Sequence, residues 1–260
     1  MSWKLFEAAA STYEGWYATR RGRRADQAER ALLAWLLGSL SNVRDVLDIG
    51  CGTGHFTQWL AASGLRTLGL ERSRAMLAEL HRRFPQIPVV HGDAHRLPLR
   101  AAAVDVALFV TTLEFLEGSH TALSEAVRVA RCGVIVVALN RWSVGGLSRR
   151  CGPQAHRTLL GRARDYSVAS LRTMLTAAAG ERLQEIRWAS TLFPDGVWKL
   201  RARIPLGDVI GMAALLARPA GGVSVAMPGR HPAAPSRLSL LNRLAWVLEP
   251  HPRVDRGHSW

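Results

Sequence analysis

The stretch "VLDIGCGTGHF", residues 46–56, decides how this chain folds. It opens as a short, mostly apolar strand and then sets glycines at alternate positions, Gly50, Gly52 and Gly54. Glycine is favoured where the backbone must turn through positive φ, or where a ligand must touch the main chain. An acid, Asp48, stands just before the loop, and another, Glu71, closes the next apolar run. Strand, bare turn and a helix starting near His55 make the first half of a βαβ unit. The helix N-terminus favours negative charge at the turn.

Working outward, residues 26–40 ("DQAERALLAWLLGSL") place Ala28, Leu32, Trp35 and Leu36 on one helical face. Strands are expected over 45–49, 66–71, 88–93, 104–110 and 133–140. Helices are expected between them over 55–64, 73–84 and 120–130, with Ser73 as an N-cap and Gly64 as a stop. A helix over 167–180 then precedes edge strands over 182–190 and 209–218. This alternation implies an α/β fold: a Rossmann-like, doubly wound, mostly parallel seven-stranded sheet with helices on both faces. In such sheets a ligand lies beyond the carboxyl ends of the strands, where strand order reverses.

Two ligand classes suit a glycine loop at that position. A dinucleotide wants G-x-G-x-x-G, but the third glycine would fall on His55, and the spacing here is G-x-G-x-G. S-adenosylmethionine (SAM) presents an ammonium, ribose hydroxyls and an adenine amino group. Asp48 suits a cation or a bridging water, Glu71 both ribose hydroxyls, and Asp93 in "HGDA" the adenine amino group. Three acids at successive strand ends thus match three donors of one ligand.

"VLDIGCGTGHF", "LGLERSRAML", "HGDAHRLPL", "VDVALFVTTLEFLEG" and "ALSEAVRVARCGVIVVALN" together resemble the successive motifs of class I SAM-dependent methyltransferases. The likeness is to the type-11 branch of small-molecule and quinone-type methylases. It runs over about 40–140 and extends more weakly to 218. The resemblance implies SAM as cofactor, with Gly50, Cys51 and Gly52 lining its methionine part and Glu71 holding the ribose. Arg72 would lie beside the adenine, Asp93 and the Ala94 backbone would read its edge, and Thr111 to Glu114 would flank the sulfonium. "YEGWYATRRG" (13–22) resembles a segment that folds over the cofactor, so Tyr13, Trp16 and Tyr17 would form an aromatic lid. Relatives often carry a Pro-Gly-Gly turn before the fifth strand; this chain has "ARCGV".

The implied organisation is an N-terminal helical lid segment over 1–40 and a SAM-binding domain over 41–218. Within that domain, 141–165 is an insertion on the substrate side. A Pro- and Arg-rich flexible tail covers 219–260, with a short helix at 236–249. The implied reaction is in-line methyl transfer to an O, N or C nucleophile of a small molecule. It needs a base only when the acceptor is a hydroxyl or protonated amine. His55 and Glu114 are the candidate bases. Asn140 and Arg141, at the end of the fifth strand, are candidate acceptor contacts.

Composition narrows the partners. The chain has 260 residues, 48% hydrophobic, with a formal net charge of +14, and all but Lys4 and Lys199 of its 34 basic residues are arginine. The arginines are scattered, apart from "RRGRR" at 20–24, as expected for solvated faces rather than one nucleic-acid footprint. An RNA methyltransferase stays open as the alternative, as does a non-catalytic scaffold with this fold. Asn/Asp-Pro-Pro-aromatic and Pro-Cys motifs are absent, which weakens the RNA reading. Three cysteines, Cys51, Cys132 and Cys151, show no paired spacing, so no metal is expected and reduced thiols in the cytoplasm are. The longest apolar runs, 31–40 and 134–139, fall short of the ~20 residues of a membrane span. Nothing bears on the oligomeric state.

Overall fold

The structure, a computed structural model, describes residues 3–143, 145–147, 160–191 and 207–219. Three helices come first: α1 (Trp3–Tyr13), α2 (Gly15–Ala18) and α3 (Arg20–Leu37). Then follow β1 (Asp45–Ile49), α4 (His55–Ala62), β2 (Arg66–Glu71), α5 (Arg74–Arg83), β3 (Val89–His91) and β4 (Val104–Val110). The chain continues with α6 (Ser119–Val129), β5 (Ala130–Leu139), α7 (Val168–Ala179), β6 (Leu183–Ser190) and β7 (Val209–Leu216).

The seven strands form one sheet in the order β3-β2-β1-β4-β5-β7-β6. The first five strands pair in parallel, and β7 runs antiparallel between β5 and β6. The α/β expectation is therefore met. Strand order reverses between β1 and β4, which places a crevice at their carboxyl ends. Alternate residues feed two cores. Leu47, Ala107, Phe109, Val134 and Val136 pack with α6 and α7 on one face. Val46, Val106, Leu108, Ile135 and Val137 pack with α3 and α4 on the other. All ten residues of β5 are buried, as a central strand covered on both faces requires.

Local chemistry sets the helix starts. The Ser73 hydroxyl accepts from the Met76 amide at the head of α5, and Ser167 and Ser170 form a capping box on α7. Helix α3 begins at Arg20, six residues before the expected 26, because Thr19 caps it by accepting from the Gly22 amide at 2.9 Å. The arginine run is thus the exposed first turns of a helix.

Strand β5 starts at Ala130, directly after α6, so "ARCGV" is strand rather than turn. Arg131 explains this. Its guanidinium donates to Asp105 Oδ1 at 2.8 Å and Asp45 Oδ2 at 2.9 Å, and to the carbonyls of Ala102 and Ala103. Arg66 adds a second cation to Asp45 at 2.5 Å, and Asp105 Oδ2 accepts from the amides of Arg44 and Asp45. This buried cluster ties β1, β4 and β5 at their amino ends, away from the crevice. The expected insertion at 141–165 and the tail at 219–260 lie largely outside the described residues, and the helix at 236–249 lies wholly outside them.

Removing one partner from a buried ion cluster leaves the other charges uncompensated. Arg131→Ala is expected to cost about 3–5 kcal/mol in urea unfolding. A loss below about 1 kcal/mol would show that the cluster does not tie the strands.

Candidate functional site

The glycine loop leaves β1 at the crevice. Gly50 (φ 75°) and Gly52 (φ 54°) both take left-handed conformations, but for different reasons. A Cβ on Gly50 would sit 2.3 Å from Thr112 Cγ2, so that glycine is required by the close approach of the loop after β4. A Cβ on Gly52 would meet nothing within 4 Å, so Gly52 faces open space. That bare, open face is the cradle expected of a ligand-contacting backbone. The side chain of Cys51 turns the other way, into β2, where a Cβ on Gly69 would lie 2.7 Å from its Sγ. Burial, with Asp48 and Glu71 nearby, holds the Cys51 thiol well above its ordinary pKa, so it is inert.

The acids predicted at the strand ends are all present, and each already has partners. Glu71 accepts from the Gly52 amide at 3.0 Å and from the amides of Arg72 and Ser73 at 2.8 Å. Burial raises its pKa against those three hydrogen bonds. Asp48 is 2% exposed and accepts from the Thr57 hydroxyl at 2.7 Å. Burial pushes its carboxyl up to about 6, Thr57 works against the rise, and Glu71 adds to it. Asp93 pairs with Arg72 at 2.7 Å and accepts from the amide and ring of His95. Burial acts to raise its pKa, but the His95 hydrogen bonds and the Arg72 charge leave it lowered. Ala94 is buried beside it.

Beyond β4, Thr111 holds a positive φ of 49°, unusual for a branched residue, at the point where the chain bends around the loop. Glu114, one of the two candidate bases, lies buried. It is 4% exposed, and its Oε1 accepts the Leu139 amide at 2.6 Å, joining the β4 loop to the end of β5. Asn140 is likewise spent on structure. Its amide donates to the Gly207 carbonyl at 2.6 Å and accepts from the Trp142 amide at 3.0 Å, and the residue is fully buried. It is therefore a turn residue, not an acceptor contact. Arg141 is exposed, with its guanidinium 5.7 Å from the Trp142 ring.

The N-terminal helices close over the loop. Tyr17 stacks on His55 with ring centroids 3.7 Å apart and planes 7° from parallel. Tyr13 meets Tyr17 edge-on at 6.2 Å, and Phe6 packs edge-on against Phe115 at 4.8 Å. Trp16 is 37% exposed and turns outward, so the aromatic cover is Tyr13 and Tyr17 without it. Polar bonds fasten the same segment. Glu7 accepts from the amides of Arg74 and Ala75 at the N-terminus of α5. Glu14 pairs with Arg83 at 2.7 Å and accepts from the Thr53 hydroxyl.

His55, the other expected base, is the centre of this clasp. Its Nε2 lies 2.8 Å from Asp26 Oδ1 and 2.9 Å from Arg30 Nη2, and its Nδ1 lies 3.7 Å from Glu14. A ring held between two carboxylates and stacked on a tyrosine is committed to docking α2 and α3 on α4. Burial opposes its charged form, but the Asp26 and Glu14 hydrogen bonds outweigh that and raise its pKa. Burial likewise opposes Glu14, while bonds from His55 and Thr53 bring its pKa down to about 2.

Sequence reasoning missed Glu7, Glu14 and Asp26. Asp26, Glu29 and Arg30 stand at i, i+3 and i+4 on α3 and share one face. That spacing was the available signal, and beside an arginine run it reads as a solvated surface.

The clasp fixes a pH window. The His55 contribution is complete below the ordinary histidine value of 6.5 and is lost as pH rises through the raised folded value. The Glu14 contribution is complete above 4.5 and is lost as pH falls through about 2. Docking is thus strongest at about pH 4.5–6.5. Amide exchange over residues 3–24, corrected for its intrinsic rate, should accelerate on the alkaline side. His55→Phe should keep the ring stack and abolish that pH dependence, and an unchanged profile would count against the clasp.

Comparison with known proteins agrees with this architecture. A family model described as "Methyltransferase domain" matches residues 47–138. Malonyl-[acyl-carrier protein] O-methyltransferase of Serratia marcescens is 27% identical over 203 residues, covering 78% of this chain and 76% of the relative. Other curated relatives align over about a third of their own length. Among solved structures, a SAM-dependent methyltransferase from Thermotoga maritima superposes with a TM-score of 0.65 at 24% identity, covering 83% of this chain and 99% of that one. The SAM-bound magnesium protoporphyrin IX methyltransferase of Synechocystis gives 0.55 at 16% identity, covering 82% and 96%. The glycine loop, the acids at the ends of β1 and β2 and the matched segment all lie on the same five parallel strands, so that residues 47–138 are similar to a methyltransferase domain and the chain shares the fold of the SAM-dependent methyltransferases it superposes on.

Proposed function

We propose that this chain transfers the SAM methyl group to a small-molecule acceptor enclosed beneath the N-terminal helices. The observation that carries this reading is the open face of Gly52, beside a Glu71 carboxylate anchored to the same loop. A bare main chain next to a fixed acid suits a nucleoside whose ribose donates two hydrogen bonds.

When bound, SAM supplies a methyl group on a positively charged sulfur, so no nucleophile of the protein is needed. The residues that would hold it are those at the carboxyl ends of β1, β2 and β3. Gly50, Gly52 and the Cys51 backbone would border the methionine part, and Asp48 would act there through the loop. Glu71 would take the ribose. Arg72, Asp93 and Ala94 would surround the adenine, with the Arg72–Asp93 pair rearranging to admit it. Thr111 would border the reacting end.

Tyr13 and Tyr17 would exclude water from the reacting atoms, and burial keeps both phenols neutral by raising their pKa values. Exclusion of water and a fixed line of approach supply several kcal/mol of barrier lowering without acid–base help. Residues 1–40 thus divide by role: α1 and α2 cover the site, whereas the second half of α3 belongs to the core. Among the described residues no helix is long and apolar enough to cross a membrane. The free, buried thiols of Cys51 and Cys132 suit a reducing compartment such as the cytoplasm.

Calorimetry tests the cofactor assignment. The protein should bind SAM and its demethylated product, S-adenosylhomocysteine (SAH), and Glu71→Ala should weaken both at least tenfold. Glu71→Gln, which keeps one oxygen for the loop amides, should fall between the two. Equal affinities in all three proteins would remove the ribose assignment. Absent binding to the folded wild type would remove the function.

A further inference from the structure

The two oxygens of Asp93, the acid at the end of β3, are held unequally. Oδ1 accepts from the His95 amide at 3.0 Å and from His95 Nδ1 at 2.7 Å. Oδ2 meets the Arg72 guanidinium at 2.7 Å, in a pair whose side chains are 38% and 43% exposed. An ion pair so open to water contributes little and is readily exchanged for another partner. The Oδ1 bonds are of another kind. They close inside a tight turn over 93–96, where the Arg96 amide donates to the Asp93 carbonyl at 3.0 Å. The carboxyl cannot rotate out of that turn without breaking both bonds to His95.

The His95 ring is fixed on its far side as well. Its Nε2 bonds to the Glu117 carbonyl, 22 residues further on and just ahead of α6. A Cβ on Gly118 would lie 3.7 Å from the same nitrogen, so the ring also packs against that turn. Burial opposes the charge of Asp93, but the His95 bonds and the Arg72 charge leave its pKa lowered. An ionised carboxylate and a main-chain carbonyl can only accept, so the ring donates from both nitrogens. Tied at both ends, it has one orientation. It joins the turn after β3 to the far end of the loop that leaves β4 at Thr111.

We propose that His95 is the positioning residue of the adenine site: it pins Asp93 by Oδ1 so that Oδ2 faces the adenine amino group, and Arg72 is the occupant which that group displaces. The assignment rests on the methyl-transfer reading above. An aspartate without such a support could turn either oxygen, or neither, toward a ligand, and ordering it would cost binding free energy. Here the carboxyl is ordered before the ligand arrives. The amino group brings an N–H donor to the oxygen that Arg72 vacates and leaves the Oδ1 bonds untouched. The released guanidinium is planar and is attached one residue after Glu71, so it suits the face of the same purine.

The two bonds of the ring can be separated by side chains of different reach. In His95→Gln the amide nitrogen takes the place of Nε2, keeping a donor for Glu117 and losing the one for Asp93. In His95→Asn the amide nitrogen takes the place of Nδ1, keeping the donor for Asp93 and losing the one for Glu117.

Calorimetry on the full chain tests the assignment, with SAH and its 6-deamino analogue, whose purine carries hydrogen in place of the amino group. The wild type should bind SAH at least tenfold more tightly than the analogue. His95→Gln should lose that preference by weakening SAH alone, and its unchanged affinity for the analogue shows an intact fold. His95→Asn should keep the preference. A histidine that only braced the loop would weaken both ligands alike. Retention of the preference in His95→Gln, its loss in His95→Asn, or a parallel fall of both ligands in either variant would overturn the role of His95. A wild type that binds both ligands equally would overturn it too, by removing the amino group from Asp93. SAH failing to bind the folded wild type would instead bring down the methyl-transfer reading on which it rests.

Discussion

Three backbone amides converge on the Glu71 carboxylate, and the crevice depends on that convergence. The Gly52 amide comes from the loop after β1, and those of Arg72 and Ser73 come from the turn after β2. One side chain therefore fixes two neighbouring strand ends relative to each other. The Gly50 and Cys51 amides both donate to the Leu70 carbonyl, which tightens the same seam from the main-chain side. The three amides offset part of the burial that raises the pKa of this acid. A loop of glycines, flexible in isolation, becomes a fixed surface.

Two polar systems occupy opposite ends of the sheet and do different work. At the amino ends, Arg131, Asp45, Asp105 and Arg66 form a closed ionic cluster whose donors and acceptors face one another. At the carboxyl ends, the charges attach pieces to each other: Glu7 to α5, Glu14 to Arg83, and Asp26 to His55. The first system joins strands within the core. The second joins a short helical segment to the core.

The fold was legible because its signals are local and repeated. Apolar runs of strand length, such as 104–110, alternate with helices capped by residues like Ser73, and the glycine loop marks where the first strand ends. The acids at 48, 71 and 93 were legible for the same reason, since position at a strand end fixes where a side chain stands. What the sequence concealed depends on distant partners. His55 reads as a free base until Asp26 and Glu14, 29 and 41 residues away, are seen to hold it. Glu114 reads as a base free to act until β5 delivers the Leu139 amide to it. Even the glycines differ in a way spacing does not show. Gly50 yields to Thr112, and only Gly52 is left open.

The cover precedes in the chain everything it fastens to. Helices α1 and α2 leave the ribosome before Thr53, His55, Arg74 and Arg83 have been made, so during synthesis they have nothing to dock on. Their docking therefore waits for those later residues. A fusion partner attached ahead of α1 hangs on the docked segment itself, whereas one placed beyond β7 is not attached to it.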